Sequence, residues 1–250
     1  MTIRKLINSL FTLIFLVNQN FIIAKPNHNI LKNGYAPLHN VIFASDVEFF
    51  VNNHLESVRA EAEKMAPIQI KKIESLLSEG ALVDFPDSYG RTALWWAAER
   101  NLSKVMEALI KAGADIENNG SGCTSLSIAA CGGNAKAVKV LLDNDANPNC
   151  KSSEDGFTPL HDAACGEMWI YPSKEPEYHK CYQERLQDYR DVIKLLIEHG
   201  ASNDIKNSAG QIPSKLAYDQ QHEFYPELKE YPLVKCIEEE IVRQKKSENK

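Results

Sequence analysis

The sequence predicts an all-α solenoid in which short helix pairs stack side by side, with about four repeats and a terminal half-repeat. A glycine-centred turn recurs at positions 34, 90, 122, 156 and 210. A short apolar segment with paired alanines follows the turn, as in DGFTPLHDAA at residues 155–164. A second amphipathic segment then ends in a Gly-Ala or Asp-Ala step. One such unit cannot bury its apolar face alone, so neighbouring units must stack.

The spacing of the turn glycines shows which repeats carry extra residues. Successive spacings are 56, 32, 34 and 54 residues, so the first and fourth repeats each hold an insertion between their two helices. The first insertion, around residues 54–64, is rich in helix-forming residues and predicts a longer or additional helix. The second, residues 167–188, is rich in aromatic residues and proline, and we expect either a binding loop or a cover for its own repeat.

Residue types at the turns predict where the helices begin and end. Thr158 suits a helix cap and Pro159 the first helical position. Glycine after the second helix suits a left-handed stop, and Asp145 is one of the few other residue types tolerated there. We expect the paired alanines to be buried where neighbouring first helices meet; they are Ala129, Ala130, Ala163 and Ala164.

These features together resemble the ankyrin repeat. The resemblance is carried by Thr158-Pro159-Leu160-His161 with Ala163-Ala164, by the leucine pairs and by the Gly-Ala steps, and it covers residues 30 to about 217. It implies that His39 and His161 form hydrogen bonds within the stack and that Trp95 takes their place in the second repeat. It also implies that Trp96 fills the core, where the family packs a leucine.

The predicted segments follow from the turn positions. They are a signal peptide at 1–24, repeat 1 with a helical insertion at 30–84, repeat 2 at 85–117, repeat 3 at 118–149, repeat 4 with its insertion at 150–204, a degenerate capping repeat with a terminal helix at 205–243, and a charged tail at 244–250.

The N-terminal residues predict a secretory signal peptide. Arg4 and Lys5 precede an apolar run over residues 10–17, and Ala24 stands before a polar stretch. Polar residues at 18–20 interrupt the apolar stretch, which disfavours a stable membrane span. We expect cleavage after Ala24 and export to a secreted or periplasmic location. An uncleaved signal anchor that tethers the chain to the membrane is the alternative.

The resemblance implies a non-catalytic protein that binds another protein on a concave surface of turn tips and first-helix ends. Aromatic residues recur next to the turn glycine, at Tyr35, Tyr89 and Phe157, and we expect the three to occupy one equivalent structural position. The predicted partner-binding residues are Ser88, Tyr89, Arg91, Glu99, Arg100, Ser121, Glu154, Asp155 and Phe157. The formal net charge is −6 and the basic residues are scattered, so we expect no nucleic-acid partner. No cofactor is expected, nor any membrane contact after signal cleavage, and the chain is expected to be a monomer.

Two further hypotheses concern the second insertion. His161, Cys165, His179 and Cys181 are a candidate metal-binding or enzymatic centre, although the His-x-Cys pair is not a usual zinc spacing. Alternatively, a Cys165–Cys181 disulfide clips the insertion, because an exported chain with six cysteines permits disulfides. Cys131 and Cys165 hold equivalent positions in adjacent repeats and are expected to stay unbridged, because packed helices lie too far apart.

Overall fold

A computed structural model describes residues 37–43, 55–166, 176–224 and 231–248. The described residues form ten helices and no strand. In chain order the helices are α1 (Pro37–Phe43), α2 (Leu55–Ser78), α3 (Ala93–Glu99), α4 (Ser103–Lys111), α5 (Ser125–Cys131), α6 (Ala135–Asp143), α7 (Pro159–Cys165), α8 (Pro176–Glu198), α9 (Pro213–Phe224) and α10 (Pro232–Glu248).

The helices form two layers, as the predicted solenoid requires. The first helices α1, α3, α5, α7 and α9 each pack against the next, and so do the second helices α2, α4, α6, α8 and α10. Each first helix also packs against its own second helix. The core lies between the layers, where Met106, Leu109, Val138 and Leu141 are fully buried. The all-α solenoid prediction is confirmed.

The turn chemistry explains the helix boundaries. Thr92 Oγ1 and Thr124 Oγ1 each accept the backbone N–H three residues on, at 3.3 Å, which satisfies a free donor of the first turn. The second helices stop at residues with left-handed backbone, Gly113 with φ 91° and Asp145 with φ 64°. The left-handed stop predicted at Asp145 is therefore present.

Neighbouring repeats are held together by small side chains and by hydrogen bonds across the stack. The four alanines predicted to be buried are at most 2% exposed. His39 Nε2 donates to the carbonyl oxygen of Arg91 at 2.9 Å, and His161 Nε2 donates to that of Gln211 at 3.0 Å. Each bond joins a first helix to the turn of the next repeat, as the family resemblance implies.

The insertion of the fourth repeat differs from the loop that its prolines suggested. Residues 176–188 form the first half of α8, and the side chains of Tyr182 and Leu186 are buried. Tyr189, on the same helix, donates from its hydroxyl to the carbonyl oxygen of Cys131 at 2.8 Å. This part of the insertion covers the stack, and its residues 167–175 lie outside the described part of the chain. The first insertion joins the second helix of repeat 1 in one long helix, α2.

The C-terminal unit contains the expected terminal helix, α10, as its second helix. It is a complete helix pair, because α9 packs on α7 while α10 packs on both α8 and α9, so the predicted half-repeat has a full second helix. Helix α10 continues to Glu248, so most of the predicted 244–250 tail is helical. Tyr218 stands eight residues after the turn glycine, where α3, α5 and α7 have a buried alanine, and it is 40% exposed.

No helix among the described residues combines the length and the apolar character needed to cross a membrane. The predicted signal peptide lies outside those residues.

Candidate functional site

The candidate site is the face formed by the turns and the first helices, which we call the first-helix face. Five of the seven residues of α5 are buried, and five of the seven of α7. The half-exposed ones are Ile128 and Cys131 on α5, and Asp162 and Cys165 on α7. Each pair is three residues apart and so shares one helix face. These side chains form a stripe across the first-helix layer.

An ordered cation–π stack occupies this face at the second repeat. The guanidinium of Arg91 lies 4.6 Å from the ring centroid of Tyr89 and 4.1 Å from that of Trp96. Tyr89 is 71% exposed, whereas Trp96 is 4% exposed. Trp96 is therefore a core residue, as predicted. Tyr89 forms the outer layer of the stack and presents its free ring face to solvent.

The carboxylate of Asp87 organises this stack. Its Oδ1 accepts the backbone N–H groups of Tyr89 at 2.8 Å and Arg91 at 3.0 Å. Its Oδ2 accepts the Nε–H of Arg91 at 2.8 Å and the indole N–H of Trp96 at 3.2 Å. Burial alone would raise the pKa of Asp87, but these hydrogen bonds and the Arg91 charge hold it below its ordinary value. The sequence interpretation did not single out Asp87, since its role depends on the folded turn.

The remaining predicted residues of the second repeat flank the stack. Ser88 is exposed at the turn, and Glu99 and Arg100 are half-exposed at the end of α3. The Arg100 guanidinium lies 5.7 Å from the Trp96 ring centroid. Trp96 is thus approached by two guanidinium groups, from Arg91 and Arg100.

The predicted residues of the third and fourth repeats divide into exposed and structural ones. Glu154 and Asp155 are exposed, while the Ser121 hydroxyl donates to the carbonyl oxygen of Cys123 at 3.2 Å. Phe157 is half-buried and stacks on His161 with ring centroids 5.4 Å apart.

The aromatic residues at the turns do not occupy one structural position. Phe157 follows its turn glycine and is equivalent to Arg91. The carbonyl oxygen of Phe157 accepts the backbone N–H of Ser152 at 2.8 Å, and that of Arg91 accepts the backbone N–H of Asp87 at 2.8 Å. Tyr89 precedes its glycine and points to solvent. Tyr35 lies outside the described residues. The predicted equivalence of Tyr89 and Phe157 is therefore wrong, because Tyr89 lies one residue before its turn glycine and Phe157 one residue after it, two positions apart in the turn.

His161 is not free to bind a metal. Its Nδ1 accepts the backbone N–H of Thr158 at 3.2 Å, and its Nε2 donates to Gln211. In the described residues, no three His, Cys, Asp or Glu side chains are grouped to hold a metal ion. The side chains of His179 and Cys181 lie outside them. Cys131 and Cys165 are free thiols in the structure, and the Cys165–Cys181 bridge stays a prediction.

Asp162 is a second residue of the face that the sequence interpretation did not select. It lies six residues after its turn glycine, as do Trp96 and Ile128. Its Oδ2 is sealed from solvent and accepts no hydrogen bond from the described residues. Burial raises the pKa of this carboxyl to about 7, against the opposing effect of the Ser127 hydroxyl. The signal in the sequence was a lone carboxylate inside the short helix PLHDAAC.

Comparison with known proteins identifies the repeats. The ankyrin-repeat family model matches residues 89–119, and the model for three ankyrin-repeat copies matches residues 117–171. Human inversin is 31% identical over 153 residues, which cover 55% of this chain and 14% of that protein. The human ankyrin repeat and SOCS box protein 3 is 35% identical over 162 residues, which cover 58% of this chain and 31% of that protein.

A third relative, the E3 ubiquitin-protein ligase Ufd4 of Drosophila melanogaster, is 39% identical over 128 residues, covering 51% of this chain and 4% of that protein. The chain therefore spans less than a third of the length of these relatives. The shared part is the stacked repeat itself. With two-layered helix pairs, cross-repeat histidine bonds and these matches to repeats 2 to 4, the chain belongs to the ankyrin-repeat protein family.

Proposed function

We propose that this chain is an exported, non-catalytic, monomeric protein that binds another protein on its first-helix face. Ankyrin repeats are a protein-interaction module, which gives the class of function. The observation that supports this particular face is the Tyr89–Arg91–Trp96 stack. Tyr89 and Arg91 are held in place before any partner arrives, so little side-chain entropy is lost on binding. Aromatic and arginine side chains are also the types that dominate interface energetics.

The acidic residues of the turns complete the proposed face. Glu154 and Asp155 are exposed, and charged residues of this kind lie more often at the rim of an interface than at its centre. We therefore place the centre of the interface at the second repeat, near Tyr89. Ser88, Ser121, Glu99 and Arg100 surround it.

The metal-binding or enzymatic alternative has less support. Both ring nitrogens of His161 are engaged in hydrogen bonds, and burial raises the pKa of the Cys165 thiol to about 12. A thiol with so high a pKa is a poor nucleophile and a poor metal ligand at neutral pH. Metal analysis of the purified protein tests this alternative, and stoichiometric zinc would favour it over our proposal.

The test of the binding face is affinity capture with the purified chain, identification of the partner by mass spectrometry, and affinity measurement with variants. Tyr89→Ala should weaken binding by more than about 1 kcal/mol. Ile68→Ala is the matched control, because Ile68 is 62% exposed but lies on α2 in the other layer. Normal binding by Tyr89→Ala, with loss of binding when residues 167–175 are replaced by a Gly-Ser linker, would move the site to the insertion.

Export has its own test. We propose cleavage after Ala24 from the basic start, the short apolar run and the small residue before a polar stretch. The N-terminus of the protein recovered from outside the cytoplasm should begin at Lys25. Recovery only from the membrane with an intact N-terminus would support the tethered alternative instead.

A further inference from the structure

Asp162 belongs to the half-exposed stripe on the first-helix face. On three of the other first helices the residue at its position, six after the turn glycine, is apolar: Trp96 on α3, Ile128 on α5 and Leu216 on α9. On α1 it is the exposed Asn40. The next position of the stripe, three residues on, holds the thiols of Cys131 and Cys165 in the third and fourth repeats. A single carboxyl group thus interrupts an apolar surface.

Among the described residues, no positively charged group has an electrostatic effect on Asp162. Burial raises the pKa values of Cys131 and Cys165 to about 12, so both thiols are neutral at physiological pH. Cys123, whose pKa burial also raises, is neutral as well. The charged neighbour that acts on Asp162 is Asp155, and it raises the pKa further.

The carboxyl group is also short of hydrogen bonds. Oδ2 has no solvent contact and no donor from the described residues. A carboxylate in such a place is unfavourable when ionised, because it has lost water and the neutral Ser127 hydroxyl only partly opposes the effect of burial. A positive group placed beside it would remove this cost and would itself be attracted strongly in the water-poor surroundings.

We infer that Asp162 is the subsite for a lysine or arginine side chain of the bound protein, inserted among apolar residues of the first-helix face. This inference rests on the proposed function and names the chemistry of the partner. The apolar neighbours fit the methylene stem of such a side chain, while the carboxylate fits its charged end. Charge complementarity of this kind sets register and specificity at interfaces.

The site can be tested without the partner, using n-hexylammonium chloride as the probe and n-hexanol as its uncharged control. The pKa of Asp162 is measured in the full purified chain by carboxyl-carbon NMR. Hexylammonium should lower it by about one unit or more, since a neighbouring positive charge favours the ionised form. Hexanol should leave the pKa of Asp162 unchanged. Neither probe should move the carboxyl-carbon resonance of Glu154, which is exposed. An equal response to the two probes overturns the inference.

The second test uses the captured partner and Asp162→Asn, which keeps the shape of the side chain and removes its charge. The variant should bind about tenfold more weakly or worse. At pH 7 the unchanged chain should release a proton on binding, seen as a buffer-dependent heat, and the variant should not. Equal affinity for the variant overturns the inference but leaves the proposed function standing. If no partner binds the unchanged chain, the proposed function fails, and the hexylammonium result still decides the site.

Discussion

The ring of Tyr189 packs directly on Gly166, so that a methyl group at Gly166 would collide with ring carbon Cε1. Gly166 has ordinary helical backbone, with φ −60° and ψ −29°, so its small size rather than its flexibility is what the structure requires. Tyr189 comes from α8 and Gly166 from the end of α7. The contact fixes how the long second helix of repeat 4 lies against the first helices.

Gly166→Ala should therefore destabilise the protein by about 1–3 kcal/mol, as overpacking of a buried site does. Thermal or urea unfolding measures the change. Combining it with Tyr189→Leu should give a loss smaller than the sum of the two single losses, because the smaller residue relieves the collision. Simple additivity would show that the two residues do not clash.

Ala163→Leu should also lower the melting temperature. Ala163 is fully buried in α7, a helix packed between α5 and α9, and the typical cost of overpacking there is about 1–3 kcal/mol. Asp143→Leu is a suitable control for the added apolar bulk, because Asp143 is exposed at the end of α6. An unchanged melting temperature for Ala163→Leu would contradict the packing of the first helices.

The repeat pattern could be predicted from the sequence because glycine, threonine and alanine affect the backbone near them or the packing of adjacent helices. The turn glycines, Pro159 at the start of α7 and the buried alanines all follow from such rules. The second insertion was harder, because its proline at Pro176 suggested a loop. Pro176 is in fact the first residue of α8, a position that proline favours because it lacks the N–H that would go unpaired there.

The candidate site was only partly predictable for a related reason. Tyr89, Arg91 and Arg100 were found from their places around the turn and the paired alanines. Asp87 and Asp162 act through groups that the fold brings to them, and no spacing rule names those groups. The side-chain direction at the turn likewise needed the structure, which is why Tyr89 and Phe157 had been treated as equivalent.

Asp162→Asn should change stability in a pH-dependent way. The pKa of Asp162 is about 7 in the folded protein and near 3.8 when unfolded, so between these values the folded state binds more protons and its stability falls as pH rises. Asparagine lacks this titration. The variant should match the unchanged chain below about pH 4 and become more stable above pH 7, by up to a few kcal/mol.

Denaturant unfolding across this pH range gives the measurement. Glu154→Gln serves as the control for replacing a carboxyl group by an amide, because Glu154 is exposed. A stability difference between Asp162→Asn and the unchanged chain that stays constant from pH 4 to pH 8 would show that Asp162 titrates normally.

Asp87→Ala should weaken partner binding indirectly, through the order of the Tyr89–Arg91–Trp96 stack. The substitution removes the acceptor that positions Tyr89, Arg91 and Trp96, so the stack loses its order and binding has to restore it. We expect a loss of about 1 kcal/mol or more, with Asp87→Asn intermediate because its amide oxygen still accepts a hydrogen bond. Equal affinities for both variants and the unchanged chain would mean that the order of the stack does not matter.

The clearest separation between recognition and folding is expected from Tyr89→Ala and Phe157→Ala. Tyr89 is 71% exposed, and its ring packs on the guanidinium of Arg91. Because little of the ring is buried, Tyr89→Ala should reduce affinity but leave the melting temperature within a degree or two. Phe157 stacks on His161, the residue whose ring joins repeat 4 to the next turn. Its loss should destabilise the fold by about 1 kcal/mol or more, because a half-buried aromatic contact disappears. Binding and thermal unfolding of both variants, measured side by side, check this. The reverse pattern, a stable Phe157→Ala that fails to bind beside a normal Tyr89→Ala, would place the centre of the interface at repeat 4.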